Sequence, residues 1–213
     1  MHIPTREEVK AIVAALAGRW RPLLLTAIFT GLGASELRGL RWTDVDLDRR
    51  EVHVHQRADR FNSIANPKSI AGERTVPAPP IVINALREWK LVCPRRDTGK
   101  VDAGGQPIMV LDLVFPNGLG NVEQLNNIVR RGLQPAQIAA GVTVDTGELG
   151  DGKPVLEAKY KGASRLAPLL CILVHQSTGR GRPRPAPEGG SGADGAFQCD
   201  DDSGRLRSPV SER

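Results

Sequence analysis

The spacing of apolar residues changes twice along this chain of 213 residues, and this feature constrains the fold most strongly. Up to about residue 40, apolar side chains recur every three or four residues, which predicts helices. From about 45 to 77 they recur every second residue around turn-forming residues, which predicts a small antiparallel sheet. Helical spacing then returns in about 80–91 and again in 122–141. The order of helices, sheet and helices predicts a mainly helical α+β fold.

The predicted helices have recognisable starting signals. Thr5 and Glu8 have the spacing of a capping box ahead of a first helix. A second, apolar helix is expected over 22–32, and a short third helix over 35–40 with Ser35 as its N-cap. A fourth helix is expected from Pro80 to about Leu91, with these apolar residues facing the core: Ile81, Ile83, Leu86 and Trp89.

Two segments have no persistent period. Residues 94–108 are expected to form a loop. Residues 176–213 contain seven Gly, four Pro and five Ser in 38 positions, so they can bury little apolar surface. We expect this tail to be disordered.

Composition narrows the class of protein only slightly. The 29 Lys and Arg against 24 Asp and Glu give a net charge of +5, which is compatible with a nucleic-acid partner. Three cysteines, with a spacing that matches no zinc pattern, suggest free thiols in a reducing compartment. No apolar run approaches the roughly 20 residues of a membrane helix, and no signal peptide is evident. We therefore expect a cytoplasmic protein without membrane contact.

Two blocks of sequence carry a resemblance to a known family. Residues 30–42 read Thr-Gly-Leu-Gly-Ala-Ser-Glu-Leu-Arg-Gly-Leu-Arg-Trp. They are similar to the first signature block of tyrosine recombinases (the phage-integrase family), which normally reads Thr-Gly-Leu-Arg-x-Ser-Glu-Leu. Further on, Pro67-Lys68-Ser69 precedes Arg74-Thr75-Val76-Pro77, as the hairpin lysine and the following strand do in that family. The resemblance covers roughly residues 3–162.

The resemblance implies the α+β catalytic domain of an enzyme that breaks and rejoins double-stranded DNA during integration and recombination. In that family a tyrosine hydroxyl attacks the scissile phosphate and forms a phosphotyrosyl bond. Two arginines bind the phosphate oxygens, a lysine protonates the leaving hydroxyl, and histidines complete the set. No metal or other cofactor takes part, and family members assemble as tetramers on DNA.

The residues carried over from the family give a mixed result. Lys68 stands at the position of the general-acid lysine, although without the flanking match it would be interpreted as a solvated hairpin lysine. Glu36 stands where the family keeps an acidic residue that supports the catalytic residues. An ordinary glutamate on a helix face is an equal alternative. Gly33 occupies the first arginine position, and losing a preorganised cation there is costly. The candidates for contact with DNA phosphates, each of which could also be simply solvated, are Arg38, Arg41 and Arg74.

The second half of the family's catalytic set is missing from these residues. No His-x-x-Arg block, Gly-His block or terminal nucleophile block is present, and the single tyrosine, Tyr160, lies ahead of where they should begin. We interpret Tyr160 as a packing residue. The chain is therefore expected to be catalytically inactive. The alternatives are a DNA-binding remnant without catalysis and a fragment without function.

A frameshift near Gly162 would explain the missing blocks. Codons compatible with 163–169, read one nucleotide out of frame, give Leu-His-Ala-Leu-Arg-His. The same offset gives Gly-His-Ser-Ser from 195–199 and Asp-Val-Tyr-Gly-His-Leu from 204–210. We therefore divide the chain into a partial catalytic domain, 1–162, and an out-of-frame tail, 163–213. We expect no separate core-binding domain ahead of it.

Metal binding is not predicted from the remaining motifs. Asp44, Asp46 and Asp48 alternate, but the glycine and final glutamate of a calcium loop are absent. His53 and His55 would share one strand face without a third ligand.

Overall fold

A computed structural model describes residues 4–66, 72–150 and 153–160. Its helices precede and follow a small sheet, so the predicted α+β class is confirmed. None of the helices among these residues is long and apolar enough to cross a membrane. The helices are α1 (Arg6–Ala15), α2 (Trp20–Thr30), α3 (Ala34–Gly39), α4 (Pro80–Val92), and a continuous final run of α5 (Leu125–Asn127), a π-helical turn (Ile128–Leu133) and α6 (Gln134–Ala139).

All strands of the described residues pair antiparallel. The central sheet has the order β1-β2-β5, and the other strands form three two-stranded hairpins. In the central sheet Val52 pairs with Val76 and Val54 with Arg74. The strands are β1 (Val45–Asp46), β2 (Glu51–Val54), β3 (Arg57–Ala58), β4 (Ile64–Ala65), β5 (Arg74–Pro77), β6 (Arg96–Val101), β7 (Pro107–Val110), β8 (Thr143–Gly150) and β9 (Lys153–Ala158).

The ends of the first three helices follow from local hydrogen bonding. The Thr5 hydroxyl accepts from the Glu8 amide at 3.2 Å, and the Glu8 carboxylate accepts from the Thr5 amide at 2.8 Å, which confirms the capping box. Gly31 ends α2 in the left-handed conformation, with φ of 70°. α3 begins at Ala34 rather than after the expected cap Ser35. The Glu36 carboxylate instead accepts a hydrogen bond from the Gly33 amide at 2.7 Å, so Gly33 is the N-cap, two residues before the expected Ser35.

The core lies between α2, α4 and the central sheet. Helix α2 is apolar around most of its circumference, and Val52 and Val54 of β2 point into the same core. On α4 the buried stripe is shifted from the prediction, because Ile81 is exposed and Val82 is fully buried. The Trp89 indole donates to the Val114 carbonyl at 2.6 Å, which attaches α4 to the segment that follows β7.

The expectation of a loop over 94–108 was wrong, since β6 and β7 form a hairpin there. The pattern missed it because the side chains of β6 are mostly exposed, so no apolar alternation marks the strand. The β8–β9 hairpin was not anticipated either. It exposes Val144 and Leu156, so the apolar side chains of the hairpin whose burial is described do not alternate between a buried and an exposed face. The predicted tail lies outside the described residues.

The end of the described chain returns to the first helix. Tyr160 is buried, and its hydroxyl donates to the Glu8 carboxylate at 2.9 Å. The ammonium of Lys159 lies 2.7 Å from the same carboxylate. The backbone amide and carbonyl of Tyr160 both bond to the buried side chain of Gln137 on α6. These contacts are those of a packing residue that joins α1 to α6.

Gly39 lets α3 approach β3 closely. A Cβ built on Gly39 would lie 2.7 Å from the backbone carbon of Arg57, a distance that real Cβ atoms do not show. We predict that Gly39→Ala lowers the free energy of unfolding by about 1–3 kcal/mol, because backbone must move to admit the methyl group. Chemical denaturation measures the loss. Gly118→Ala is the control, since its Cβ would meet nothing within 4 Å. Equal stability of the two variants would contradict the close approach.

The Glu8 contacts predict a loss of stability in acid. Partial burial alone would raise the pKa of Glu8, but hydrogen bonds from Lys159, the Thr5 amide and Tyr160 outweigh it and lower the pKa to about 2 from an ordinary 4.5. The ionised Glu8 carboxylate therefore contributes to the free energy of unfolding above pH 4.5, and this contribution is lost as the pH falls towards about 2.

We predict that Glu8→Gln removes this part of the acid dependence, measured as unfolding free energy against pH. Glu7→Gln on the same helix should leave it unchanged. An identical pH profile for wild type and Glu8→Gln would show that the carboxylate is not held in this way.

Candidate functional site

The Glu36 carboxylate is the centre of the best-defined polar cluster. One of its oxygens accepts from Arg74 Nη1 at 2.6 Å, and the other accepts from Arg74 Nη2 at 2.9 Å and from the Gly33 amide. This two-point pairing fixes both side chains, because the planar guanidinium matches a carboxylate. The hydrogen bonds that Arg74 donates to the Glu36 carboxylate raise the pKa of Arg74. The glutamate predicted to support the site therefore joins α3 to β5.

Arg74 also fixes the chain ahead of β5. Its Nη1 donates to the Gly72 carbonyl at 3.3 Å. Lys68, the candidate general acid, lies a few residues earlier and outside the described residues, so its role stays a prediction. The Glu36–Arg74 pair consequently anchors the chain where it leaves the lysine-bearing segment, 67–71.

Arg38, two residues after Glu36, holds the chain on the other side of that segment. Its Nε donates to the Glu123 carbonyl at 2.7 Å and its Nη1 to the Asp59 carbonyl at 3.2 Å. Its Nη2 donates to the side-chain oxygen of Asn62. The residue is 4% exposed, and burial lowers the pKa of Arg38 against the opposing charges of Asp59 and Glu123.

This environment does not favour the DNA contact suggested for Arg38. Its guanidinium is buried and already bonded to protein acceptors, so turning it to a phosphate would leave those acceptors unpaired. Sequence reasoning missed this role because its partners lie 21 to 85 residues away. Nothing in the local pattern distinguishes a buried arginine from a solvated one.

A third arginine holds the chain immediately before the lysine-bearing segment. Arg57 Nε, on β3, donates to the Asn66 carbonyl at 3.3 Å. The Asp59–Ser63 turn and Asn66 are therefore bonded on the entry side of the segment, and Gly72 and Arg74 on its exit side. Helix α3 contributes Arg38 to the entry side of the lysine-bearing segment and Glu36 to its exit side.

Gly33 is not required by the backbone. Its φ of −65° and ψ of 155° are open to any residue, and a Cβ there would lie 3.5 Å from the Glu36 carboxylate, an ordinary contact. The position that resembles the family's first arginine can thus hold a side chain beside the Glu36–Arg74 pair.

Arg41 remains partly accessible. Its side chain is 42% exposed, and its Nε lies 3.3 Å from the Asp112 carboxylate but outside hydrogen-bond geometry. Asp112 also pairs with Arg96 at 3.1 Å. Arg41 is therefore loosely held and keeps donors that face solvent.

The two histidines and the aspartates serve local structure. His53 pairs with the Thr75 hydroxyl and His55 with the Asp44 carboxylate, each at 2.8 Å. Asp46 accepts the amides of Asp48 and Arg49 in the turn. Across residues 4–66, 72–150 and 153–160, no three such side chains are grouped to hold a metal ion. An open groove of about 640 Å³ beside them is lined by His53, Val54, His55, Glu73, Arg74 and Thr75.

Comparison with known proteins gives a consistent result. No family model matches the chain. The chain is 32% identical over 139 residues to a tyrosine recombinase XerC-like protein of Caldanaerobacter subterraneus subsp. tengcongensis, which covers 58% of this chain and 35% of that protein. It is 32% identical over 84 residues to the prophage integrase IntR of Escherichia coli K12, which covers 39% of this chain and 20% of that protein. The chain therefore spans about a third or less of these relatives.

The fold has a solved counterpart. The Tn1549 transposon integrase, determined in complex with a circular intermediate DNA, superposes with a TM-score of 0.56 at 16% identity. The match covers 83% of this chain and 54% of the integrase. The two curated relatives, together with the signature block that forms the end of α2 and all of α3, support a tyrosine recombinase/integrase domain, and the solved structure shows the shared fold.

Proposed function

We propose that this chain binds double-stranded DNA as part of a tyrosine recombinase catalytic domain, and that it does not cleave the DNA. The observation that carries the proposal is the pair of anchors that α3 provides, Glu36 to Arg74 and Arg38 to the Asp59–Ser63 turn. They hold the two sides of the segment that contains Lys68. The DNA complex of the Tn1549 integrase supports a DNA partner for the shared fold.

The proposed roles follow from these positions. Lys68 corresponds to the general acid of an active relative. Glu36 and Arg74 position it by fixing β5 against α3. Arg41, with donors open to solvent, contacts the phosphate backbone. No metal or other cofactor is needed, because Arg and Lys supply the positive charge that phosphate recognition requires.

The proposed lack of cleavage rests on the residues themselves. Gly33 leaves the first arginine position without a cation, and no His-x-x-Arg sequence occurs in the chain. The one tyrosine, Tyr160, donates its hydroxyl to Glu8 and is buried in the fold. We propose that 163–213 is an out-of-frame tail, that this chain does not form the tetramers of active relatives, and that it acts in the cytoplasm.

We predict salt-dependent binding to duplex DNA without a covalent product. The logarithm of the binding constant should fall linearly with that of the salt concentration, with a slope of about 0.9 per phosphate neutralised. Lys68→Gln should lower the slope by about that amount, whereas Lys100→Gln, on the exposed β6–β7 hairpin, should not. Fluorescence anisotropy measures binding, and a denaturing gel with nicked duplex detects any adduct.

Two results would count against this proposal. Binding that is absent at low salt would exclude the DNA-binding role. A tyrosine-linked DNA adduct on the gel would contradict the proposed inactivity.

We predict that Gly33→Arg increases DNA affinity without harming the fold. A Cβ at Gly33 would make only an ordinary contact, with Glu36, so we expect the free energy of unfolding to change by less than about 0.5 kcal/mol. The added cation should steepen the salt slope by about 0.9. Gly118→Arg is the matched control, because Gly118 lies on an exposed turn between β7 and α5. An equal increase in both variants would show that position 33 has no special access to phosphate.

A further inference from the structure

Three turns in the described residues share one architecture. They span 59–63, 102–106 and 117–121, and each begins with Asp or Asn. In each turn the side-chain oxygen of the first residue accepts hydrogen bonds from the backbone amides of the third and fifth residues. The two distances are 2.8 and 2.9 Å for Asp59, 2.8 and 2.9 Å for Asp102, and 2.9 and 3.1 Å for Asn117. The fourth residue is left-handed in all three, with φ of 65°, 79° and 81°. The turns are therefore equivalent in backbone.

This equivalence separates what the turn needs from what its sequence adds. The first position needs an Asp or Asn oxygen, and the fourth favours glycine, as at Gly105 and Gly120. The second and third positions carry no such demand, because Ala103-Gly104 and Gly118-Leu119 both fill them. Arg60 and Phe61, which fill them in the first turn, are thus not required by the fold.

The first turn has a further attachment, to a buried arginine. At its fourth position it has Asn62 instead of glycine, and the Asn62 side chain accepts from the buried Arg38. Arg38 also bonds the Asp59 carbonyl at 3.2 Å. Burying an arginine costs folding free energy unless its donors are hydrogen-bonded. Its bonds to a surface turn therefore indicate that the fold keeps this turn in one position.

The held turn presents a cation and an aromatic ring together. Phe61 is 72% exposed, and the guanidinium of Arg60 lies 4.7 Å from the centre of its ring. Exposing a phenylalanine forgoes the free energy of burying it, and a partner that covers the ring would recover that free energy. The charge of Arg60 beside the ring favours a partner with negative charge around an apolar surface.

We propose that the Arg60–Phe61 tip is a second DNA-contacting element, in which Arg60 pairs with a backbone phosphate and Phe61 packs as an apolar wedge at a base step in the minor groove. The inference rests on the DNA binding proposed above. Minor-groove proteins combine cationic and apolar side chains in this way. Lys68 follows Ser63 by five positions, a span of at most about 18 Å, so the tip and the lysine can reach the same duplex.

The test is DNA binding by the full chain across a range of salt concentrations. Arg60→Gln should lower the salt slope by about 0.9. Phe61→Ala should weaken binding about tenfold at every salt concentration with the slope unchanged, as expected for an uncharged stacking contact. Phe61→Trp keeps an aromatic wedge and should bind as tightly as wild type. Leu119→Ala is the matched control, since Leu119 occupies the same position of an equivalent turn and is 75% exposed.

The outcomes separate this inference from the proposed function. If wild type binds DNA and Phe61→Ala binds equally well, the tip is not a contact, although the DNA-binding role stands. A loss of affinity that Leu119→Ala reproduces would also overturn it. If the wild-type chain itself does not bind DNA at low salt, the proposed function fails, and this inference fails with it.

Discussion

The bond between the Glu36 carboxylate and the Arg74 guanidinium organises the polar side of this domain. The same carboxylate closes the first turn of α3 by accepting the Gly33 amide, so one side chain sets both the start of the helix and the position of β5. Two parallel charge-assisted bonds are directional in a way that a point charge is not, and they restrict the pair to one geometry. Because Arg74 also bonds the Gly72 carbonyl, the restriction extends towards the lysine-bearing segment.

Arg38 complements this pair from the same short helix. Its burial is tolerated because its Nε, Nη1 and Nη2 each bond an acceptor on another part of the chain. Helix α3 has only six residues and little stability of its own, so it depends on these contacts and on the close approach that Gly39 allows. A short helix held in this way can fix both flanks of the lysine-bearing segment at once.

Much of the fold could be predicted from the sequence, whereas most of the site could not. The capping box at Thr5 and the alternation of Val52 and Val54 have direct local causes, and both were confirmed. The β6–β7 hairpin was missed because neither strand has a buried face to mark it. In the site, the resemblance pointed to Glu36, but its partner Arg74 lies 38 residues away. Sequence spacing likewise gave no reason to separate the buried Arg38 from the accessible Arg41, since tertiary contacts alone decide which arginine is satisfied within the protein.

We propose that DNA lies against the turn after β3 and the start of β5, the two flanks of the lysine-bearing segment that α3 holds. Hydrogen exchange of backbone amides, with and without duplex DNA at low salt, tests this claim most directly. The account predicts that DNA slows exchange at the amides of 59–77 and leaves those of the β6–β7 and β8–β9 hairpins unchanged. Protection confined to those hairpins, with 59–77 unaffected, would contradict it.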